Sequence, residues 1–139
     1  MNAYTWYFLA SAIAPQYGLP PELVCAIIAV ESGGNPDALS KAGAVGLMQV
    51  MPREAGEMFS DRPQTVWLKH PAVNIAVGCE ILRSYLKYYN YDVERGIMAY
   101  FAGAGNVPKE GEVTHEGAKR YLAIVKGALK QMFPLSKIL

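Results

Sequence analysis

Residues 21–52 read PELVCAIIAVESGGNPDALSKAGAVGLMQVMP. Pro21 and Glu22 suit the opening turn of a helix. The following residues are apolar nearly all round, which is typical of a helix at the centre of a domain. We therefore predict a buried helix over residues 21–32. Glycines and an Asn-Pro pair end it, and the glycine-rich segment up to Val50 has little periodicity. This segment is predicted to be a long loop or a small irregular lobe.

Helical patterns dominate the rest of the chain, and no segment shows a convincing strand alternation. We predict a first helix around Leu9 and Ile13 that Pro15 closes. The other predicted elements are a short helix from Pro52 through Phe59, a connection over 60–71, a helix over 73–90, a helix over 93–101 with Asp92 as its N-cap, and a last helix from His115 or Glu116 to about Phe133. The expected fold is mainly α, with one domain over residues 1–139.

Composition argues against several classes of protein. The 13 basic and 12 acidic residues nearly balance, which disfavours a nucleic-acid partner. No apolar run reaches the roughly 20 residues of a membrane span, and no Lys or Arg precedes the apolar stretch 7–14 as it would in a signal peptide. Cys25 and Cys79 lie in apolar stretches, so we expect buried free thiols, with one disulfide between two helices as the alternative. No Cys/His spacing resembles a zinc site, and we expect no metal or cofactor.

Glu31 stands out among the acidic residues because it directly follows the apolar run 23–30. A buried, unpaired carboxylate tends to keep its proton. The negative end of the helix dipole, where Glu31 would lie, opposes ionisation further. Both effects favour a general acid. From these residues alone, a Glu that turns to solvent or caps a neighbour is an equally good interpretation.

The segment that follows Glu31 resembles the signature of soluble lytic transglycosylases, in the goose-type lysozyme superfamily. That signature has Glu-Ser, Asn-Pro, a Ser nine residues after the Glu, and then Gly-Ala-x-Gly-Leu-Met-Gln-x-Met-Pro. Residues 31–52 match every one of these positions without a gap. The resemblance implies a lysozyme-like fold with a substrate groove beside the helix that carries Glu31.

Looser similarity continues downstream, so that the resemblance spans roughly Phe8 to Leu129. Residues 74–82 look like the family's Asn-Ile-x-x-Gly helix, and residues 99–103 look like its Ala-Tyr-Asn-Ala-Gly motif. Tyr121 and Val125 are similar to its closing helix. One position departs from the pattern, because this chain has Phe101 where the family usually has Asn. The hydrogen bonds of that Asn are therefore absent.

The resemblance implies a role for each matching residue. Glu31 would be the acid and then the base, and the Tyr100 hydroxyl would lie near Glu31 and orient it or the substrate. The other expected substrate contacts are Ser40, Met48, Gln49 and Met51. The alternatives are an ordinary loop hydroxyl for the serine, core packing for the methionines and a core aromatic for the tyrosine.

Most glycosidases use two carboxylates, and none of the nearby acids makes a compelling partner for Glu31. Asp37 is explained by turn chemistry, and Asp61 and Asp92 by loop or cap roles. The family's mechanism uses one carboxylic acid, which cleaves the β-1,4 bond between N-acetylmuramic acid and N-acetylglucosamine and closes a 1,6-anhydro ring. The expected partner is thus the peptidoglycan glycan strand, acted on by a monomer.

Three other functions remain open at this stage. They are a goose-type lysozyme that hydrolyses the same bond, a chitin-oligosaccharide hydrolase, and a non-catalytic glycan-binding or structural module of a phage tail or secretion assembly. We expect action at the bacterial cell wall or periplasm. The lack of a clear signal peptide suggests a phage endolysin or a piece of a larger protein.

Overall fold

A computed structural model of the chain describes residues 2–56 and 65–139, and it confirms the mainly helical fold. The described residues contain two isolated β-bridges, Leu39 with Val45 and Val45 with Val50, and no strand. The α-helices in chain order are α1 Tyr7–Ile13, α2 Pro21–Ser32, α3 Pro52–Gly56, α4 Thr65–Leu68, α5 Pro71–Tyr88, α6 Val93–Ala102 and α7 Glu116–Met132. Short 3-10 turns cover Ala3–Trp6, Ala14–Tyr17 and Ala104–Asn106.

Helix α2 is the centre of the main core, as the sequence predicts. All six residues from Leu23 to Ile28 are buried. The helix packs against α1 on one side and α7 on another, while α6 packs against both α5 and α7. Burial on every side explains why this helix lacks a polar face. Helix α2 is thereby held between α1 and α7.

Most predicted boundaries agree with the structure to within two residues. Asp92 caps α6, because its carboxylate accepts a hydrogen bond from the Arg95 backbone N–H at 3.1 Å. His115 caps α7 in the same way, through Nδ1 and the Ala118 N–H. Helix α5 starts at Pro71, two residues earlier than predicted, because proline is preorganised for the first helical position.

Two predictions have other outcomes. The expected connection over 60–71 is wrong in part, since Thr65–Leu68 forms a helical turn. A helix of this length has too few residues to show a periodic pattern. The short helix predicted over 52–59 begins at Pro52 and is described as far as Gly56. Phe59 and Asp61 lie outside the described residues.

Two further features bear on expectations from composition. Cys25 and Cys79 are buried free thiols, as predicted, and burial raises the pKa of each to about 12. Within the described residues no single helix has both the length and the apolarity to cross a membrane. The segment Ala3–Tyr17 and α2 meet those criteria only as a pair, bent by 120° where they join.

Candidate active site

Glu31 lies in the last turn of α2, at the edge of a pocket. Gly33 follows with a φ of +63°, the left-handed conformation that commonly ends a helix. The Glu31 side chain is half-buried, and its carboxyl group lies in a pocket of about 310 Å³. That volume lies at the lower end of the range of small-ligand sites. The residues that line the pocket are Glu31, Ser40, Ala42, Ala44, Gln49, Val50, Met51, Glu54, Ile81, Tyr100 and Phe101.

The Glu31 carboxyl group has a single hydrogen-bond donor among the described side chains, the Tyr121 hydroxyl, at 2.8 Å from Oε2. Burial raises the pKa of Glu31 above 4.5, and the hydrogen bond from Tyr121 opposes this by stabilising the ionised form. In the part of the chain that the structure describes, no Lys or Arg forms an ion pair with Glu31. The environment therefore favours the protonated acid, while Tyr121 can still stabilise the carboxylate once the proton has left.

The two tyrosines near Glu31 remain neutral donors. Burial and the negative charge of Glu31 raise the pKa of both Tyr100 and Tyr121 well above 10.0. The Tyr121 hydroxyl donates to Glu31, whereas the Tyr100 hydroxyl donates to the backbone carbonyl of Met48 at 2.7 Å. Tyr100 thus lines the pocket, and its hydroxyl proton is directed at the backbone that supports the pocket.

The glycine-rich segment between α2 and α3 forms a small lobe, and hydrogen bonds from residues of the signature hold it in place. The Ser32 hydroxyl lies 2.8 Å from the Leu47 carbonyl oxygen, which attaches the lobe to the end of α2. Backbone N–H groups of Val45 and Val50 each donate to the other's carbonyl at 2.9 Å. Gly46 has a φ of +78°, and a Cβ there would lie 2.4 Å from the Asn74 side chain. This position therefore requires glycine both for its backbone conformation and for the close approach of α5.

Asn74 is the polar residue on α5 that anchors this lobe. Its side chain is fully buried. Its Oδ1 accepts from the Met48 N–H at 2.7 Å, and its Nδ2 donates to the carbonyls of Val45 (2.8 Å) and Leu68 (2.7 Å). A buried amide with all these bonds satisfied fixes its partners in one arrangement. Asn74 thus determines where the lobe presents its side chains to the pocket.

Besides Tyr100, three of the predicted substrate contacts line the pocket: Ser40, Gln49 and Met51. The Ser40 Oγ accepts a hydrogen bond from the Ala44 N–H at 2.9 Å, so its own proton remains for another acceptor. Gln49 has a φ of +51°, an unusual conformation for a residue other than glycine. Its Nε2 donates to the Gly46 carbonyl at 3.1 Å, which leaves Oε1 as an acceptor for a sugar hydroxyl or amide.

Met48 corrects an expectation, because its side chain does not reach the pocket. It is fully buried. It packs against Gly78 of α5, where an added Cβ would lie 2.5 Å from the Met48 sulfur. The methionine fills the space that the glycine leaves, and its contribution to the site is the backbone carbonyl that accepts from Tyr100. The alternative interpretation of Met48, core packing, describes this residue.

Three pocket features were missed by sequence reasoning. Tyr121 was assigned only to the family's closing helix, although its hydroxyl bonds the Glu31 carboxyl group across 90 positions of sequence. Glu54 is a second carboxylate in the pocket, and its charge adds to the raised pKa of Tyr100. Phe101 also lines the pocket. The resemblance placed Tyr121 in the closing helix and marked Phe101 as a departure from the motif, but it placed neither side chain at the pocket. Glu54 carried no signal in the sequence.

No group of three or more His, Cys, Asp or Glu side chains suited to a metal occurs within residues 2–56 and 65–139. The chemistry that the described side chains can supply is proton transfer. A carboxyl group whose pKa is raised by burial and a buried hydroxyl donor lie together at one pocket, with amide and hydroxyl groups from the lobe around it. Such a site suits an acid-catalysed cleavage of a polar substrate.

Comparison with known families and proteins gives consistent matches. Residues 8–123 match the family model described as the transglycosylase SLT domain. The endo-type membrane-bound lytic murein transglycosylase A of Cronobacter sakazakii is 40% identical over 104 residues, covering 70% of this chain and 49% of that protein. The protein of the same name from an Enterobacter species is 39% identical, covering 75% and 58%. The chain thus spans about half the length of these relatives.

Solved structures show the same similarity. The lytic transglycosylase Slt of Pseudomonas aeruginosa, an inactive mutant with glutamine in place of a glutamate, superposes with a TM-score of 0.77 at 26% identity. The match covers 90% of this chain and 24% of that one. A 70-kDa soluble lytic transglycosylase in complex with bulgecin A gives a TM-score of 0.59 at 28% identity, covering 86% and 19%.

Proposed function

The chain belongs to the transglycosylase SLT domain family, and we propose that it is a peptidoglycan lytic transglycosylase. It cleaves the β-1,4 bond between N-acetylmuramic acid and N-acetylglucosamine and leaves a 1,6-anhydromuramic end. The observation that carries the proposal is the Glu31 carboxyl group, which lies in a pocket with its pKa raised by burial and with Tyr121 as its donor. The whole of residues 1–139 acts as one catalytic domain.

Glu31 performs two proton transfers in this proposal. As the neutral acid it protonates the glycosidic oxygen, and the substrate's acetamido group stabilises the developing positive charge. Loss of the proton leaves Glu31 ionised, and the Tyr121 hydroxyl stabilises that carboxylate. Glu31 then accepts the proton of the muramyl C6 hydroxyl as the 1,6-anhydro ring closes. The acid is thereby regenerated for the next cycle.

The other pocket residues bind and orient the glycan. The Gln49 Oε1 accepts from an N–H or O–H of the sugar, and the Ser40 hydroxyl donates to a sugar oxygen. Met51 supplies an apolar contact. Tyr100 acts by holding the Met48 carbonyl and thus the wall of the pocket. These roles combine polar groups that fix orientation with apolar side chains that exclude water.

The test is cleavage of purified sacculi by the Glu31→Gln variant. We expect cleavage to fall by at least roughly a hundredfold, the usual contribution of a general acid. Glu22→Gln is the matched control because Glu22 lies in the first turn of the same helix, and it should keep wild-type activity. Wild-type-like cleavage by Glu31→Gln would contradict the mechanism. A wild-type protein that binds sacculi without cleaving them would be a non-catalytic glycan-binding module instead.

Mass spectrometry of the products distinguishes the transglycosylase from a goose-type lysozyme. The specific observation that favours a hydrolase is Glu54, since a second carboxylate in the pocket is what activation of water requires. Anhydromuramic ends support the transglycosylase, and reducing ends support the hydrolase. A hydrolase that uses Glu54 as its base would lose activity in Glu54→Gln, whereas the transglycosylase would keep it.

The site of action that follows from this function is the bacterial cell wall. A monomeric state is a prediction that size-exclusion chromatography with light scattering tests. Phage origin also stays a prediction, and the genes on either side of the coding sequence test it.

A further inference from the structure

Phe101 has an unusual position for an aromatic side chain of this size. It lies in the last turn of α6 and is 52% exposed, yet it lines the same pocket as Glu31. Ligand pockets are lined predominantly by apolar and aromatic side chains, which the bound ligand covers. Phe101 is also the position at which residues 99–103 depart from the motif that they resemble.

The Phe101 ring is held in place by α7. It stacks on the Tyr121 ring with a centroid distance of 4.8 Å and an interplanar angle of 15°. Its edge lies beside Gly117, where an added Cβ would come within 3.4 Å of the ring. Stacked aromatic pairs of this geometry stabilise each other beyond the area they bury. Since the Tyr121 hydroxyl is itself bonded to Glu31, the ring position is fixed relative to the acid.

We propose that Phe101 is a sugar-binding platform. An N-acetylhexosamine ring of the glycan packs on one face of the Phe101 ring, and Tyr121 packs on the other face. The C–H face of a hexosamine ring and its acetamido methyl group are apolar, and they suit a flat aromatic surface. An asparagine could not supply that surface. The inference rests on the proposed glycan substrate, and it assigns Phe101 to substrate affinity. Because Phe101 has no proton to give, kcat depends on it little and KM depends on it more.

The test is isothermal titration calorimetry of chitotetraose with Glu31→Gln protein, which measures binding without turnover. Adding Phe101→Ala or Phe101→Asn should weaken binding roughly three- to tenfold, the energy of one aromatic contact expressed as affinity. Adding Phe101→Tyr, which keeps the ring, should change it less than about twofold. Phe8→Ala is the matched control because Phe8 is 89% exposed and is not among the residues that line the pocket.

Activity measurements give a second readout. In the wild-type background Phe101→Ala should raise KM for glycan by a similar factor and leave kcat within about twofold. Thermal unfolding of each variant checks that the fold is intact. Unchanged chitotetraose affinity in Phe101→Ala, or no binding by the parent Glu31→Gln protein, would overturn the platform. Failure of the proposed function looks different, because then the wild-type protein leaves sacculi uncleaved.

Discussion

Replacing Asn74 by leucine tests how the lobe is attached to the helical core. Leucine has a similar shape but no polar atom, so three hydrogen bonds of 2.7–2.8 Å disappear. The Met48 N–H then lacks its partner in a buried position, which costs about 1–3 kcal/mol. The Leu68 carbonyl loses its bond to the side chain. The Val45 carbonyl is affected least, because it also accepts from the Val50 N–H. The sum is a loss of about 3 kcal/mol in the free energy of unfolding.

Urea unfolding followed by circular dichroism measures this loss. With a slope of about 2 kcal/mol per molar urea, the midpoint should fall by roughly 1.5 M. Asn106→Leu is the matched control, because Asn106 is exposed and its side chain donates one hydrogen bond, to the Ala102 carbonyl. Its cost should stay below about 1 kcal/mol.

Asn74→Leu should also lower cleavage activity under conditions in which the variant is fully folded. The reason is that the lobe carries Gln49 and Met51 into the pocket. The activities of the variant and the wild type are compared without urea, at a temperature where both proteins are fully folded. A midpoint for Asn74→Leu equal to that of Asn106→Leu would refute the reasoning, because it would mean that the buried amide does not hold the lobe.

Three more perturbations address the acid and its surroundings. Tyr121→Phe removes the hydrogen bond that lowers the pKa of Glu31, so the alkaline limb of the pH–rate profile should move to higher pH. The kcat should fall on the order of ten- to a hundredfold. An alkaline limb at the wild-type position would contradict this. Gly78→Ala would place a Cβ 2.9 Å from the Met48 Cβ, and calorimetry should show a loss of about 1–3 kcal/mol in the free energy of unfolding. An unchanged melting temperature would show that Met48 moves aside at no cost. Glu31→Gln should be more stable than wild type above pH 4.5, because the folded protein binds the Glu31 proton more tightly than the unfolded chain and loses stability as the pH rises through the folded pKa. Denaturation midpoints that differ equally at every pH would count against that linkage.

Local sequence signals predicted the helices well because their causes are local. The limits of α2 follow from Pro21 at its start and Gly33 after its end, and the Asp92 cap follows from a residue that bonds three positions ahead. The short helix Thr65–Leu68 was not predicted, since four residues carry no periodic pattern. Local chemistry thus defines the long elements and leaves single turns undetermined.

The site was predicted less completely, because its decisive contacts join distant parts of the chain. The resemblance assigned Tyr121 and Val125 to the closing helix, and their spacing of four residues puts them on one face of α7, where both are buried. That pattern does not reveal that the Tyr121 hydroxyl reaches Glu31. Nor does it show that the Tyr100 hydroxyl bonds the Met48 carbonyl. Hydrogen-bond partners depend on how helices cross, and sequence spacing reports only which side of one helix is buried.

The ionisation of Glu31 is the property on which the whole mechanism depends. Carbon-13 NMR of the glutamate side-chain carboxyl groups, recorded across a pH titration, follows it directly. The resonance that is absent from the spectrum of Glu31→Gln identifies the group. We expect a pKa above 4.5 for that resonance, because burial outweighs the hydrogen bond from Tyr121. A titration at or below 4.5 would contradict it, since the side chain would then be an ordinary carboxylate with no proton to give at neutral pH.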